Sequence, residues 1–152
     1  MNEALSQKLL DDFPMLFRDR DPSSLPYWFA CGDGWFDLIY QLAQDIESVA
    51  REHGLNPDSP QWPRCRQVKE KLGSLRFVVF AVEGQPEMSE RIGELRLVAL
   101  NRSIDICGVC GKSLSGPVNV NGERGGIEMD DLAIRLWLDD LRQPLRAQLG
   151  PF

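Results

Sequence analysis

Residues 67–80 read QVKEKLGSLRFVVF, and this stretch organises the predicted fold. Leu75, Phe77 and Val79 share one face of an extended chain, whereas Val78 and Phe80 share the other. A strand that is apolar on both faces is typical of the centre of a sheet. The pattern therefore predicts a central strand that other elements cover on both sides.

The residues before this strand predict that it is one arm of a hairpin. Residues 71–74, KLGS, have the length and the glycine of a tight hairpin connection. The more polar residues 66–70 are then expected to pair back as an outer strand. A small antiparallel sheet follows, with the hairpin 66–82 at its centre.

Two helices are predicted before the hairpin. Asn2 is placed to cap a first short helix that ends near Pro14. A second helix is expected from about Gly34 to His53, with Asp33 as its N-cap and a glycine stop directly after it. Apolar residues cover more than half of its circumference, so this helix should lie deep against the sheet.

Two further amphipathic stretches complete the set of predicted helices. Residues 86–102 begin with a proline, which is favoured at the first position of a helix. Residues 130–148 form an acidic segment with a stripe of leucines. The predicted fold class is therefore α+β, a small antiparallel sheet packed by three to four helices. The length favours a single domain over residues 1–152, with the acidic helix at its C-terminal end.

Charge is unevenly distributed along the chain. The net charge is −6, from 17 Lys and Arg against 23 Asp and Glu. Residues 1–60 hold eleven carboxylates and four cationic side chains, whereas residues 61–86 hold five cationic side chains and two carboxylates. An acidic protein is repelled by phosphate backbones, so we expect a basic protein partner and no direct nucleic-acid binding. The alternative is an acidic surface that serves solubility alone.

The chain has the composition expected of a cytoplasmic protein. It lacks a run of about 18 apolar residues, and its first residues lack the basic and apolar stretches of a signal peptide, so we expect no membrane association. Four cysteines are too few and too unevenly spaced for a disulfide framework. They are expected to be free thiols or metal ligands.

Cys107 and Cys110 form a CxxC turn followed by a glycine, which is a shape that presents two thiolates to zinc. A closed structural zinc site needs four ligands, and no Cys or His follows Cys110. The other soft ligands, Cys31, His53 and Cys65, lie far upstream. Two partly buried thiols and a redox-active dithiol are the alternatives. We expect no cofactor, with zinc at Cys107 and Cys110 as the alternative.

No set of residues in the sequence specifies a reaction. The single histidine, His53, falls at a helix C-terminus, where a cationic imidazole is favoured. The adjacent carboxylate pairs lie on helices, where neighbouring residues point about 100° apart and cannot form an acid/base dyad. The sequence therefore predicts a protein without enzymatic activity. An enzyme with a pocket beneath Trp28 and Trp35 is the alternative.

The acidic last helix is the predicted partner-binding surface. It combines tryptophan with carboxylates, and the candidate residues are Asp130, Asp131, Trp137, Asp139 and Asp140. A helix that is both apolar and acidic can bury one face and offer the other to a basic partner. The alternative is that Trp137 belongs to the core.

Three sequence blocks resemble a known family. They read CGDGWF at residues 31–36, QVKEKLGSLRF at residues 67–77 and CGVCG at residues 107–111. In order and spacing they resemble a family of small uncharacterised proteins from phages and prophage-bearing bacterial genomes. The resemblance covers roughly residues 10–112 and implies no activity. Relatives of that kind often continue into a second Cys/His pair that completes a zinc ribbon, where this chain reads GGIEMDD at residues 125–131.

Together these observations predict a non-enzymatic binding protein that inhibits or neutralises a basic protein partner. A nuclease toxin or a host-defence complex is a partner of the expected kind, because acidic side chains can occupy the place of nucleic acid. The alternative is a zinc-knuckle module of phage origin with a nucleic-acid-associated role.

Overall fold

The computed structural model describes residues 1–20, 28–80 and 82–114 and shows a small sheet with three helices. The helices are α1 (Glu3–Asp12), α2 (Phe36–Glu52) and α3 (Pro86–Ile104), and a short 3-10 helix, Asp33–Trp35, precedes α2. The strands are β1 (Phe29–Ala30), β2 (Cys65–Lys71) and β3 (Ser74–Val79). The predicted α+β fold class is confirmed.

All of the described residues belong to one unit, Met1–Gly116. None of the helices in this part of the chain is long and apolar enough to cross a membrane. The predicted acidic helix at residues 130–148 lies outside the described residues, and a single domain over residues 1–152 stays a prediction.

The three strands form one mixed sheet in the order β1-β2-β3. β2 and β3 make the predicted antiparallel hairpin, with Lys69 opposite Arg76, whereas β1 runs parallel to β2. The prediction that the apolar strand is central is wrong, since β2 lies in the middle and β3 is an edge of the described sheet. Cover on both faces is also not observed, since Leu75 and Phe77 are buried on one face whereas Val78 is half-buried and Phe80 is exposed on the other.

A two-residue turn joins β2 to β3. Leu72 and Gly73 have φ angles of 54° and 74°, both in the left-handed region. Consecutive positive φ angles are the mark of a type I′ turn, whose twist matches that of the two strands. Glycine adopts this conformation freely, whereas a leucine there costs about 1 kcal/mol. The predicted hairpin connection is confirmed.

Side chains of α3 take the place of a neighbouring strand at the outer edge of β3. The Leu75 N–H donates to Ser103 Oγ at 2.8 Å, and Arg96 Nε donates to the Phe77 carbonyl at 2.6 Å. The Ser103 hydroxyl in turn donates to the Leu100 carbonyl at 2.6 Å. Backbone groups on an uncovered sheet edge would otherwise lack partners. These contacts therefore allow a strand with two apolar faces to lie at an edge.

The second helix lies deep in the fold, as predicted. Its buried residues are Leu38, Ile39, Leu42, Ala43, Ile46, Glu47, Val49 and Ala50. Gly54, with a φ of 75°, ends the helix, and the Leu55 N–H donates back to the Ala50 carbonyl at 3.1 Å. This is the bonding of a Schellman motif, which satisfies carbonyls that the helix leaves free. The predicted glycine stop is confirmed.

The N-terminal caps differ from the prediction at one helix. Asn2 caps α1 as predicted, since its side chain accepts from the Leu5 N–H at 2.9 Å. Asp33 does not cap α2, because its carboxylate accepts from the backbone N–H and the side-chain amide of Asn2 at 2.6 and 2.7 Å. These bonds, the backbone one first, lower the pKa of Asp33. α2 instead begins from Trp35, with no side-chain cap.

The substitution Ser103→Ala tests the cover of the β3 edge. It leaves the buried Leu75 N–H without its acceptor, so we expect the free energy of unfolding to fall by about 1–3 kcal/mol. Urea unfolding followed by circular dichroism measures the change. Ser48→Ala, which removes an exposed hydroxyl from α2, is the control and should stay within about 0.5 kcal/mol of the unmodified protein. Equal costs for the two variants would contradict the assigned role of Ser103.

Candidate functional site

The first and third sequence blocks meet in the structure. The Gly34 N–H donates to the Gly108 carbonyl at 2.9 Å, and the indole N–H of Trp35 donates to the Ile106 carbonyl at 3.0 Å. Trp35 is buried, and the position of a Cβ on Gly108 is only 3.4 Å from its ring. The segment that opens α2 therefore holds the turn at residues 107–111, which we call the knuckle.

Two glycines permit this close approach. A Cβ on Gly32 would lie 2.1 Å from the Gly108 oxygen, and one on Gly34 would lie 2.2 Å from the Cys107 oxygen. Both obstacles are backbone atoms, which cannot rotate away as a side chain can. Any side chain at either position must therefore push the knuckle away from the start of α2.

The substitution Gly34→Ala should destabilise the protein by about 2 kcal/mol or more, because the added methyl group overlaps backbone atoms of the knuckle. Gly93→Ala is the matched control. Gly93 lies inside α3 with open space around it, so alanine there should raise the free energy of unfolding by about 0.5–1 kcal/mol. Thermal or urea unfolding measures both variants. A neutral Gly34→Ala would mean that the knuckle does not press on α2.

The knuckle stabilises the thiolate of Cys107. Its pKa is lowered because the backbone N–H of Cys110, and then that of Val109, bonds to the Cys107 sulfur, with the Cys110 thiol adding a third contact. The turn is closed by the Gly111 N–H, which donates to the Cys107 carbonyl at 2.9 Å. Thiolate is the form of cysteine that binds metals and attacks electrophiles. Cys107 is therefore prepared for either chemistry.

The upstream cysteines have the opposite character. Burial raises the pKa of Cys31 to about 11 and raises that of the fully buried Cys65 still further. Within residues 1–20, 28–80 and 82–114, no group of three or more Cys, His, Asp or Glu side chains is arranged to hold a metal ion. The structure thus brings together the predicted ligands Cys107 and Cys110 and places no further ligands beside them in the described part.

Thiol labelling tests this division of the cysteines. In the native protein, iodoacetamide should modify Cys107 and Cys110 and leave the buried Cys31 and Cys65 intact, as read by mass spectrometry of the digested chain. Because the pKa of Cys107 is lowered, its alkylation rate should reach half-maximum at a lower pH than that of a free cysteine. Labelling of native Cys65 at a comparable rate would contradict the assignment.

Two helices form an acidic groove away from the cysteines. The groove has a volume of about 570 Å³ and is lined by residues from α1, from the residue after it and from α2. These include Asp12, Phe13, Tyr40, Asp45, Glu47 and Arg51. The Tyr40 hydroxyl donates to Asp12 Oδ2 at 2.8 Å and so joins the two helices. A bond from Lys8, and then the bond from Tyr40, lower the pKa of Asp12.

The surface around this groove is strongly acidic. Together α1 and α2 carry seven carboxylates and two cationic side chains. Glu47 is buried yet paired, with its carboxylate 2.7 Å from the Arg51 guanidinium. Sequence reasoning missed the groove as a candidate site, although the acidic excess over residues 1–60 was a signal for it.

The remaining predicted residues fall into two groups. The predicted partner-binding residues Asp130, Asp131, Trp137, Asp139 and Asp140 lie outside the described residues. His53 lies at the C-terminal end of α2 as predicted, with its Nδ1 atom 2.8 Å from the Val49 carbonyl oxygen. Of the two tryptophans named for an enzyme pocket, Trp35 packs on the knuckle.

Comparisons with known proteins find no matching family model, no matching curated protein and no matching solved structure. The resemblance of the three blocks to a phage family therefore stays a prediction. What the structure adds is that two of those blocks, 31–36 and 107–111, are packed against each other.

Proposed function

We propose that this protein is a non-enzymatic binding protein that inhibits or neutralises a basic protein partner, such as a nuclease or a defence complex. The acidic groove between α1 and α2 is the observation that carries the proposal. It offers the carboxylates of Asp12 and Asp45 together with the aromatic ring of Tyr40.

This combination suits a lysine or arginine side chain. Carboxylates pair with the charged head, and an aromatic face attracts a cation by its quadrupole. Lys8 already shows the mode of contact, since its Nζ lies 2.7 Å from Asp12 Oδ2 and 5.3 Å from the centroid of the Tyr40 ring. A cationic side chain of a partner would take the same place in competition with Lys8.

The charge of the wider surface supports the same partner. Seven carboxylates against two cationic side chains on α1 and α2 would attract a basic protein over the length at which salt screens charges, about 10 Å in 0.1 M salt. Such complementarity speeds association and rejects acidic competitors. Asp130, Asp131, Trp137, Asp139 and Asp140 are further proposed contacts to the basic partner, as the sequence predicted.

Affinity capture with the full chain tests this function. Lysate from the organism that encodes the protein supplies the candidates, and mass spectrometry identifies what is retained. We expect a protein rich in Lys and Arg, whose affinity for the chain falls at least tenfold when salt rises from about 0.05 to about 0.3 M. If that partner is a nuclease, its activity should fall when the protein is added. Recovery of nucleic acid or small molecules alone would contradict the proposal.

A pair of charge reversals locates the contact. Asp45→Lys places a cation in the groove and should weaken binding of the captured partner about tenfold. Glu90→Lys, on the exposed surface of α3, changes the net charge by the same amount and should leave the affinity nearly unchanged. Isothermal titration calorimetry measures both. Equal affinities would remove the groove from the interface.

The knuckle supports a second function, a zinc-knuckle module with a nucleic-acid-associated role. Backbone N–H groups that stabilise the Cys107 thiolate are suited to a thiolate ligand of zinc, and Cys110 is exposed beside it. Cys107 and Cys110 would hold the ion. Stoichiometric zinc in protein purified without chelators, with both thiols protected from alkylation, would favour this function over the first.

A further inference from the structure

A pocket of about 420 Å³ lies where the chain entering β2 meets the chain leaving β3. Its walls include Trp62, Arg64 and Phe80. The Phe80 N–H donates to the Arg64 carbonyl at 2.9 Å, and the Gln61 side-chain amide donates to the Glu83 carbonyl at 3.1 Å. Two bonds thus hold the walls together, and the volume falls in the range of about 300–1,000 Å³ that small-molecule sites occupy.

Phe80 and Arg64 line this pocket, and Arg66 lies beside the Phe80 ring next to the lining. Phe80 is 41% exposed, and the guanidinium carbons of Arg64 and Arg66 lie 5.4 and 5.9 Å from its ring centroid. The pairing of β2 with β3 shifts register between Cys65 and Gln67, so Arg66 is the extra residue of a bulge. A bulge redirects the side chain that it carries, and here that side chain lies beside Phe80.

The wall of the pocket holds a donor without an acceptor. Trp62 is only 1% exposed, and its indole N–H has no hydrogen-bond partner within the described residues. One contact of the ring is already made, by the Arg51 guanidinium 5.4 Å from its centroid. The indole nitrogen is itself buried, so Trp62 contributes an apolar wall to the pocket and not a donor to a bound molecule.

We infer that this pocket binds a nucleoside phosphate. The base stacks against the half-exposed ring of Phe80, and the phosphate pairs with Arg66 and Arg64. Stacked guanidinium groups can bind phosphate while they contact a ring, which a lysine cannot do equally well. An inorganic anion would leave the aromatic surface unused, and a neutral aromatic ligand would leave the cations unused.

The two arginines do not contribute equally. Arg64 lies 3.2 Å from the Asp19 carboxylate, which partly neutralises it. Arg66 forms no ion pair with any described residue and is therefore the main ligand for the phosphate. The net charge of −6 disfavours a long polyanion, so a free nucleotide suits the pocket better than a nucleic-acid strand.

This site is separate from the acidic groove. Phe80 and Arg66 are absent from the groove lining, and Asp45 is absent from the lining of the pocket. Substitutions of Phe80 and Arg66 therefore leave the lining of the acidic groove unchanged. The failure of one proposal is distinguishable from the failure of the other.

Titration of the full chain with adenosine 5′-monophosphate tests the inference. The ¹H–¹⁵N spectrum reports indole N–H groups directly, and Trp62→Phe identifies the Trp62 signal. We expect this signal to move on titration, and Phe80→Ala and Arg66→Gln each to weaken the affinity about tenfold. Arg91→Gln, which removes an exposed arginine from α3, should leave the affinity unchanged.

Titrations with adenosine, inorganic phosphate and an oligonucleotide show which part of the nucleotide the pocket recognises. Adenosine and inorganic phosphate should each bind at least tenfold more weakly than the nucleotide, since each lacks one half of the recognised group. A short 5′-phosphorylated oligonucleotide that binds more tightly than the nucleotide would support the site and assign it to the end of a strand. Equal binding of inorganic phosphate, or no movement of the Trp62 signal at about 10 mM nucleotide, well above a 1 mM dissociation constant, would overturn the inference.

Discussion

The fold depends on how the outer edge of β3 is satisfied. The strand has no neighbour on that side among the described residues, and the side chains of Ser103 and Arg96 supply the acceptor and the donor that a strand would otherwise provide. These bonds fix α3 along the edge of β3. Because α3 ends at Ile104, directly before the knuckle, its placement also delivers Cys107 to the start of α2.

The sequence was most informative where one local pattern decides one element. The apolar stripe and the following glycine were enough to place α2, and the tight connection at residues 71–74 was enough to place the hairpin. The apolar pattern of β3 predicted cover of both faces, but only the face with Leu75 and Phe77 is buried, and the pattern did not show that β3 is an edge of the described sheet. The two-residue β1 is too short to show an alternating apolar pattern. Asp33 does not cap α2, because its carboxylate accepts from Asn2, and the two residues come close only in the folded chain.

The candidate sites were less accessible to sequence reasoning for a related reason. Spacing alone revealed the pair Cys107 and Cys110, because both ligands lie in one turn. The acidic groove needs Asp12 and Tyr40 from different helices, and the nucleotide pocket needs Trp62 and Phe80 from two ends of a hairpin. Local charge indicated which segments were acidic or basic, but cavities arise only from tertiary packing.

The contact between Gly32, Gly34 and the knuckle has an evolutionary consequence. Backbone atoms of the two segments lie against each other there, so the contact cannot adapt to gradual changes in side-chain size at Gly32 or Gly34. The segment at residues 31–36 and the turn at residues 107–111 are expected to be inherited or lost as a pair. A descendant that places any larger residue at position 34 must first have moved or deleted its cysteine turn.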